Sequence, residues 1–504
     1  MRGAEMTARR IILIALSVTL VCCGGGAGVA IYAWTGQIVD TTGKVNFVHR
    51  LPIPPLAPSH VDSAGRRVFE LTAQQGEHDF GQGAVRTSGY NGSYLGPTIR
   101  ATRGEQIAVN VHNDLADTTT VHWHGMHLPA IMDGGPRQPV PAGSTWSPNW
   151  QIDQRAATLW YHPHPHGQSA DQVYRGLAGM FIVDDPSTDV AALPHRYGVD
   201  DVPVIVQDKK FDGDGQLDNS RSLLGGVGVL GDTIAVNGML APYLEVTTER
   251  IRLRLLNASN ARVYAFGFAD GRAFDLVGTD GGLLDSPYRT SHVDLSPGER
   301  AEIVVTVRPG ERTVLRSIPP DLGLDSLSNR FTGAADTFDV LQLRAGTSLA
   351  ASPAVPPRLV EVPRLDRSRA VATHDFQMAD QQINGSGMDM SRVDVTSVRS
   401  TLEIWRPFNN DGSPHNFHVH GLGFQVLSVG GSQPPPELRG WKDTLFLRPH
   451  TRYEIIMTMP SYADPSAPYM FHCHLLYHED QGMMGQFVVV EPGQRAGTPV
   501  HQHQ

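Results

Sequence analysis

Three alternating segments that each end in asparagine constrain the fold of this chain more than any other feature. They occupy residues 107–113, 251–257 and 402–409, spaced by about one domain length. Alternation of apolar and polar residues predicts half-buried β-strands, and self-similarity at a fixed period indicates a repeated unit. A length of 504 residues accommodates about three domains. The repeat therefore predicts three related β-sandwiches.

Composition supports an all-β chain and excludes one class of partner. The 52 glycines and 36 prolines, together with short alternating runs, favour sandwiches over helical bundles. The 41 basic and 51 acidic residues give a formal net charge of −10, and no block of basic residues occurs. We therefore expect no nucleic acid partner.

The predicted domain boundaries follow from changes in composition, above all from proline-rich stretches. Residues 186–189 close the first unit, and residues 352–363 form a linker before the third. The predicted division is a signal or membrane anchor at 1–42, the first unit at 43–188, the second at 189–350, a linker at 351–370, the third at 371–492 and a disordered tail at 493–504.

An apolar run from Ile11 to about Trp34 follows two arginines near the N-terminus. Roughly 20 apolar residues are enough to span a bilayer, so an uncleaved anchor is favoured over a removed signal peptide. Lipid attachment at Cys22 or Cys23 is a third alternative. All three place the body of the protein outside the cytoplasm, in the periplasm or at the cell surface, with membrane contact only through this segment.

Cys473 is the only cysteine outside that segment. It lies between His472 and His474, and His478 and Met483 follow within ten residues. A thiolate, an imidazole and a thioether are the soft ligands of a blue-copper electron-transfer site, which usually needs one more histidine. Outside the cytoplasm a lone cysteine is unusual unless its thiolate is occupied, and copper ligation would occupy it.

The chain contains four His-x-His pairs, and His415 precedes one of them. Residues two apart on a strand point to the same face, so each pair can present two imidazoles to one metal centre. The pairs are His122 and His124, His162 and His164, His418 and His420, and His472 and His474. These eight histidines suffice for three copper ions besides a blue copper.

In these motifs the chain resembles the multicopper oxidases, a family that includes laccases, bilirubin oxidases and bacterial copper-efflux oxidases. The resemblance extends over residues 96–490, and residues 205–211 and 214–218 are similar to the copper-efflux branch. It implies three cupredoxin-like Greek-key β-sandwich domains, preceded here by the N-terminal hydrophobic segment. It also implies electron transfer from a small-molecule or metal-ion reductant to O2 in a monomeric protein with four copper ions.

The resemblance assigns ligands to one type 1, one type 2 and two type 3 copper ions. They are His415, Cys473, His478 and axial Met483 for type 1, His122 and His418 for type 2, His124, His162 and His474 for one type 3 ion, and His164, His420 and His472 for the other. Asp133 and Glu479 match family positions proposed to relay protons. The alternatives are a turn-capping Asp133 and an ordinary surface carboxylate at Glu479.

Aligning the repeats at these motifs divides the roles of the three units. The first unit has Thr119 where the third has His415, and Pro163 where the third has Cys473. The second unit carries neither set, and residues 259–262 stand near the place of a pair. We therefore expect the trinuclear copper centre to lie between the first and third units, with the second unit as a spacer.

Three functions are compatible with the sequence. The first is an extracytoplasmic laccase-like oxidase of phenols, aromatic amines or low-valent metal ions. The second is a cuprous-ion oxidase for copper tolerance, for which Asp411 matches an acidic substrate ligand while Ser413 stands in place of a methionine. The third is a structural envelope protein, similar to family members in cell division that have lost their copper ligands.

Overall fold

The computed structural model of the protein describes residues 38–188, 192–221 and 226–500. Within these ranges six β-sheets form three sandwiches, which confirms the predicted all-β fold. The predicted N-terminal anchor or signal lies outside the described residues, apart from positions 38–42. None of the helices in the described ranges combines the length and apolar character needed to cross a bilayer.

The first sandwich encloses a core that includes Phe69, Ile107 and Trp123. One sheet has six strands, which are Ser59–Val61, Arg67–Asp79, Ala84–Tyr90, Gln106–Asn113, Thr145–Trp146 and Asn149–Gln151. The other has four, in the spatial order Ile99–Thr102, Gly179–Asp184, Ala157–His162 and His122–His124. A helix, Ser169–Arg175, and a 3-10 turn, Ala130–Met132, lie in the connections.

The second sandwich has its core around Leu253, Phe266 and Leu341. Its six-stranded sheet follows the spatial order His49–Arg50, Pro242–Thr248, Phe338–Ala350, Arg312–Ile318, Tyr264–Phe268 and His292–Leu295. Its seven-stranded sheet follows the order Met239–Leu240, Thr233–Val236, Asp201–Lys209, Arg250–Asn257, Arg300–Thr306, Phe274–Thr279 and Gly282–Thr290. The helix Ser326–Phe331 belongs to this unit.

The third sandwich buries Trp405, Phe417 and Phe471 between two five-stranded sheets. The first sheet runs Gln382–Ile383, Ala370–Ala379, Leu402–Asn409, Tyr453–Thr458 and Phe424–Val429. The second runs Val395–Val398, Met484–Val490, Asp464–His472, His415–Val419 and Thr444–Leu447. The helix Leu476–Asp480 and the 3-10 turns Arg367–Arg369 and Pro436–Leu438 complete it.

The repeated asparagines have one structural role in all three units. Asn113, Asn257 and Asn409 are fully buried, and the Oδ1 of each accepts a hydrogen bond from the backbone N–H two residues later. Each Nδ2 donates to two carbonyls, those of Asp117 and Val140, of Arg262 and Leu295, and of Ser413 and Leu447 respectively. Because a buried amide must satisfy its polar atoms, this bonding fixes the corner at which each strand ends. In the first and third units that corner leads into the histidine motifs.

The beginning of the described chain differs from the predicted division. His49–Arg50 pairs in parallel with Pro242–Thr248, a strand of the second sandwich. The Val39 N–H donates to Asp336 Oδ1 at 2.8 Å, also in the second sandwich. A boundary at residue 43 is therefore too early for the first sandwich, because these backbone groups find their partners on the second.

The segment predicted as a disordered tail makes specific contacts as far as Val500. The Gly497 N–H donates to the Pro465 carbonyl at 2.9 Å, and the Val500 N–H donates to the Ser466 carbonyl at 3.0 Å. Arg137 Nη1, from the first sandwich, donates to the Val500 carbonyl at 3.1 Å. This corrects the disordered-tail prediction for residues 493–500. Residues 501–504 lie outside the described part of the chain.

Candidate copper centres

One group of soft ligands forms inside the third sandwich. His415 begins the strand His415–Val419, Cys473 directly follows Asp464–His472, and His478 lies on the helix Leu476–Asp480. The Cys473 Sγ lies 3.8 Å from His415 Nδ1 and 3.6 Å from His478 Nδ1, and the two nitrogens are 3.1 Å apart. All three residues are buried. A thiolate and two imidazoles converging in this way fit a blue-copper site.

The same contacts prepare the thiol for metal binding. Burial disfavours the thiolate, but hydrogen bonds and charge from His415 and His478 lower the pKa of the Cys473 thiol from 9.0 to about 6. Burial likewise opposes the charged ring of His415, yet hydrogen bonds to Asp411 and Cys473 raise the pKa of His415 to about 9. A thiolate, not a thiol, is the metal ligand, so the sulfur is in the required form near neutral pH, and His415 would release its proton when a metal ion binds.

Hydrogen bonds from Nε2 hold the rings of His415 and His478 with Nδ1 toward the Cys473 sulfur. His415 Nε2 donates to the Asp411 carboxylate at 3.1 Å, and His478 Nε2 donates to the Gly226 carbonyl at 3.0 Å. Such second contacts set the tautomer and orientation of a metal-binding histidine. The Asp411 side chain is 23% exposed, so it connects His415 to the surface.

Met483 is buried in the same apolar cluster as Cys473. Its carbonyl accepts from the Cys473 N–H at 3.1 Å, and its own N–H donates to the His478 carbonyl at 2.9 Å. These bonds tie the predicted axial residue to two members of the ligand group.

The eight paired histidines converge between the first and third sandwiches, and all are buried. His122 pairs with His162 across two strands of the first sandwich, and His418 pairs with His472 across two strands of the third. Across the boundary, His124 stacks on His418 and His122 stacks on His420, each at 3.8 Å between ring centroids. Ligand atoms within 4.8 Å of one another form the groups His122–His418–His420, His122–His124–His162 and His164–His420–His472.

The unpaired nitrogens of this cluster fit bound metal ions. Six of the rings have a buried nitrogen without a hydrogen-bond partner, namely those of His122, His124, His162, His164, His418 and His474. Leaving a buried polar atom unsatisfied costs about 1–3 kcal/mol, so such a concentration calls for an explanation. Burial and the neighbouring rings hold the pKa of most of these imidazoles well below its usual range, and burial lowers that of His472 to about 3. Neutral imidazoles are the form that binds metals.

Asp133 and Glu479 both lie in the interior, against the cluster. Asp133 Oδ2 accepts from His420 Nδ1 at 2.6 Å, and the Asp133 carbonyl accepts from His122 Nδ1 at 3.0 Å. Glu479 is 1% exposed, and its two oxygens lie 3.2 Å from His164 Nδ1 and 3.3 Å from His472 Nδ1. Burial and the neighbouring Asp480 raise the pKa of Glu479 well above its usual range. The alternative of an ordinary surface carboxylate therefore does not describe Glu479.

Sequence reasoning missed several polar residues that contact the ligands. Asn416 Oδ1 lies 3.6 Å from the Cys473 Sγ, while its Nδ2 donates to the Pro297 carbonyl at 2.9 Å. Asp443 Oδ1 accepts from His124 Nε2 at 3.0 Å. Asn416 directly follows the predicted ligand His415, and this adjacency in the sequence could have identified it. Asp443 has no histidine or cysteine beside it, so one sequence alone does not distinguish it.

The second sandwich also reaches the cluster. A Cβ at Gly298 would lie 3.2 Å from ring atoms of both His124 and His474, so the backbone of this unit packs directly on two predicted ligands. The interpretation of the second unit as a spacer is therefore incomplete. Histidine counting could not reveal this contact, because backbone atoms make it.

Gly125, which follows His124, permits a close approach that any side chain would block. Its φ is +85°, and a Cβ there would lie 2.6 Å from Asp443 Oδ2 and 2.8 Å from Arg300 Nη2. We expect Gly125→Ala to lower the free energy of unfolding by about 1–3 kcal/mol, measured by denaturant titration. Gly104→Ala is the control, because Gly104 has a φ of +92° with nothing within 4 Å of the added Cβ. Equal losses in the two variants would show that crowding at Gly125 is unimportant.

Comparison with known proteins agrees with this geometry. Three family profiles, each described as multicopper oxidase, match residues 72–188, 203–313 and 356–493. The cell division protein FtsP of Xenorhabdus nematophila is 37% identical over 88% of this chain and 93% of its own length. The multicopper oxidase mco of Staphylococcus haemolyticus is 34% identical over 86% of this chain and 91% of its own.

A solved structure shares the whole architecture. The bacterial laccase-like multicopper oxidase CueO from a lignin-degrading Ochrobactrum species is 34% identical and superposes with a TM-score of 0.79, covering 87% of this chain and 100% of its own. That protein has oxidase activity towards lignin model compounds and lignosulfonate. Because the family matches extend over all three sandwiches, this chain belongs to the multicopper oxidase family.

Proposed function

We propose that this protein is an extracytoplasmic oxidase that couples one-electron oxidation of phenols, aromatic amines or low-valent metal ions to four-electron reduction of O2 to water. Four copper ions serve as cofactors, held by the type 1, type 2 and type 3 ligand sets assigned above. The protein acts as a monomer, and it meets the membrane only through its N-terminal segment. The observation that carries the proposal is the tripeptide 472–474. Its cysteine belongs to one ligand group, its His472 to the other, and the His474 ring lies 4.9 Å from that of His124 and 5.2 Å from that of His162, between ring centroids.

The tripeptide gives electrons a covalent path between the two centres. Bound copper supplies reversible one-electron transfer at the thiolate site and dioxygen reduction at the histidine cluster. The chain itself fixes the path, since the backbone between Cys473 and its neighbours is the direct link. The His474 N–H donates to Asn416 Oδ1, which also lies beside the Cys473 Sγ, so this link is held rigidly.

Electron donors are proposed to enter at Asp411 and His415. Both ligand rings of the thiolate site are nearly inaccessible, whereas the Asp411 carboxylate is partly exposed and touches His415 Nε2. A carboxylate at this place accepts a hydrogen bond from a phenol or an aromatic amine and attracts a metal cation. The laccase-like structural relative favours the phenolic class.

The test is the visible spectrum of residues 38–504 after copper loading, followed while a phenol or cuprous ion is added under air. We expect a strong red-region band that one of the two reductants bleaches faster, with O2 consumed in proportion. The faster reductant identifies the substrate class. A folded, copper-exposed protein without such a band would overturn the proposal.

Substitution of Met483 tests the predicted axial ligand of the thiolate site. We expect Met483→Leu to raise the reduction potential, because losing the axial thioether removes a ligand that stabilises the oxidised metal. The similar volume should keep the change in stability below about 1.5 kcal/mol. Redox titration of the red-region band measures the potential. Met459→Leu, a buried methionine of the same cluster, is the control, and an unchanged potential in Met483→Leu would refute the axial role.

A structural role in the cell envelope is the second candidate, favoured by the FtsP relatives, which are named cell division proteins. Deleting the chromosomal copy and restoring either wild type or Cys473→Ser separates the two. Rescue of a division defect by Cys473→Ser would favour the structural role. Rescue only by wild type would favour the oxidase.

A further inference from the structure

Residues 296–300 of the second sandwich contact the histidine cluster directly and reach the thiolate group through Asn416. Ser296 Oγ and the Pro297 carbonyl accept from Asn416 Nδ2 at 3.1 and 2.9 Å, and Asn416 lies beside Cys473. Gly298 packs on the rings of His124 and His474. Arg300 closes this segment and begins the strand Arg300–Thr306.

The Arg300 guanidinium is completely buried and uses all five of its N–H donors. Nε donates to the Thr158 carbonyl at 2.9 Å, and two further bonds at 3.0 Å reach the carbonyls of Gly298 and Asp280. The remaining two go to the two oxygens of Asp443, at 2.7 and 2.6 Å. A planar guanidinium matches this fork, and a lysine ammonium does not.

Asp443, which Arg300 holds in place, accepts hydrogen bonds from two predicted copper ligands. Its Oδ1 accepts from His124 Nε2 at 3.0 Å, and its carbonyl accepts from His418 Nδ1 at 2.9 Å. His124 therefore turns Nε2 outward and leaves Nδ1 toward the cluster, where Nδ1 has no hydrogen-bond partner. Thr444 Oγ1 also donates to Asp443 Oδ1 at 2.9 Å and lies 3.1 Å from His124 Nε2. Without Arg300 this hydroxyl alone would restrain the carboxylate, and the ring of His124 would be held less firmly.

Other buried charges complete the network. Lys442 Nζ lies 3.0 Å from Asp280 Oδ2 and 2.8 Å from Glu299 Oε1. The network contains three carboxylates, those of Asp280, Glu299 and Asp443. It contains two cations, Lys442 and Arg300, so its formal net charge is −1. A net negative charge next to a site for metal cations is electrostatically favourable.

We propose that Arg300 is a positioning residue of the trinuclear centre, acting through Asp443 to hold His124 with Nδ1 toward the metal. The second sandwich, which has no histidine pair, thus supplies part of the metal site. This inference rests on the proposed function, since it presumes that copper binds the eight-histidine cluster.

The test compares Arg300→Lys with Arg254→Lys in the copper-loaded protein. Arg254 is the matched control because it is equally buried in the second sandwich, pairs with Asp201 and Glu302, and donates to Thr158, yet contacts no predicted ligand. We expect Arg300→Lys to weaken copper retention at the cluster by about tenfold against a competing chelator. The near-ultraviolet absorption of the type 3 copper pair, to which His124 is assigned, should also change, while the red-region band stays intact. Arg254→Lys should leave both cluster signals unchanged.

Asp443→Asn serves as a second variant, because it keeps the side-chain volume but removes the charge and replaces one acceptor oxygen with an NH2 donor. It should reproduce the altered type 3 absorption even if Arg300→Lys does not fold. If Arg300→Lys or Asp443→Asn kept wild-type spectra and copper affinity, this inference would be overturned and the proposed function would stand. Equal changes in Arg300→Lys and Arg254→Lys would also overturn it, because they would indicate a general packing effect. A wild-type protein that binds no copper would overturn the proposed function, and this inference with it.

Discussion

Cys473→Ser is expected to abolish the red-region band and to reduce oxidation of every electron donor to the background of the copper-free protein. In the proposed function the thiolate is the source of the charge-transfer absorption and the first link in the covalent path to the cluster. A serine hydroxyl has nearly the same shape, but it is a hard oxygen donor that stays protonated where the pKa of the Cys473 thiol falls to about 6. Absorption spectra and oxygen-electrode rates on one preparation measure both losses.

The eight-histidine cluster should survive this substitution. His472 and His474 keep their backbone positions, and their rings belong to the other ligand group, so copper content should fall by the type 1 ion only. Met457→Leu, in the same apolar cluster, controls for disturbance of the core. A Cys473→Ser protein that still turned over phenols at the wild-type rate would show that electrons enter elsewhere, which would contradict the proposed route.

The features that sequence predicted well are those set by local periodicity. Residues two apart on a strand share a face, so the pair His122 and His124 could be expected to serve one centre. The buried asparagines could be aligned for a similar reason, since each satisfies the same short-range hydrogen bonds at a corner. Family resemblance then supplied the individual ligand roles, which spacing alone does not determine.

The features that were missed depend on contacts between distant parts of the chain. Arg300 and Asp443 are 143 positions apart and meet only when the second and third sandwiches pack. The strand His49–Arg50 pairs with the second sandwich rather than the first because Pro242–Thr248 offers it a free edge. The orientation of each imidazole also follows from such contacts, so which nitrogen faces the cluster could not be inferred from the order of the histidines.

Glu479→Gln is expected to lower turnover by about 10²- to 10⁴-fold, the usual contribution of a positioned proton donor. Reduction of O2 to water consumes four protons, and the two Glu479 carboxyl oxygens lie 3.2 and 3.3 Å from Nδ1 of His164 and of His472, two histidines of the cluster. Burial raises the pKa of Glu479 well above its usual range, so the protonated form persists to higher pH than in an exposed glutamate. Glutamine keeps the shape of the side chain but has no acidic proton to give.

Separating the two half-reactions identifies the step at which Glu479 acts. Bleaching of the red-region band by a phenol without oxygen should proceed as in wild type, while recovery of the band on admitting O2 should slow. Because the protonated form is the donor, wild-type recovery should decline as pH rises through the raised pKa, and the Gln variant should lose that dependence. Glu403→Gln is the matched control, since Glu403 is also buried in the third sandwich but bonds to Ser397 and Trp405. If recovery in Glu479→Gln matched wild type at every pH, Glu479 would not be the proton donor, and Asp133, whose carboxylate contacts His420, would be the next residue to substitute.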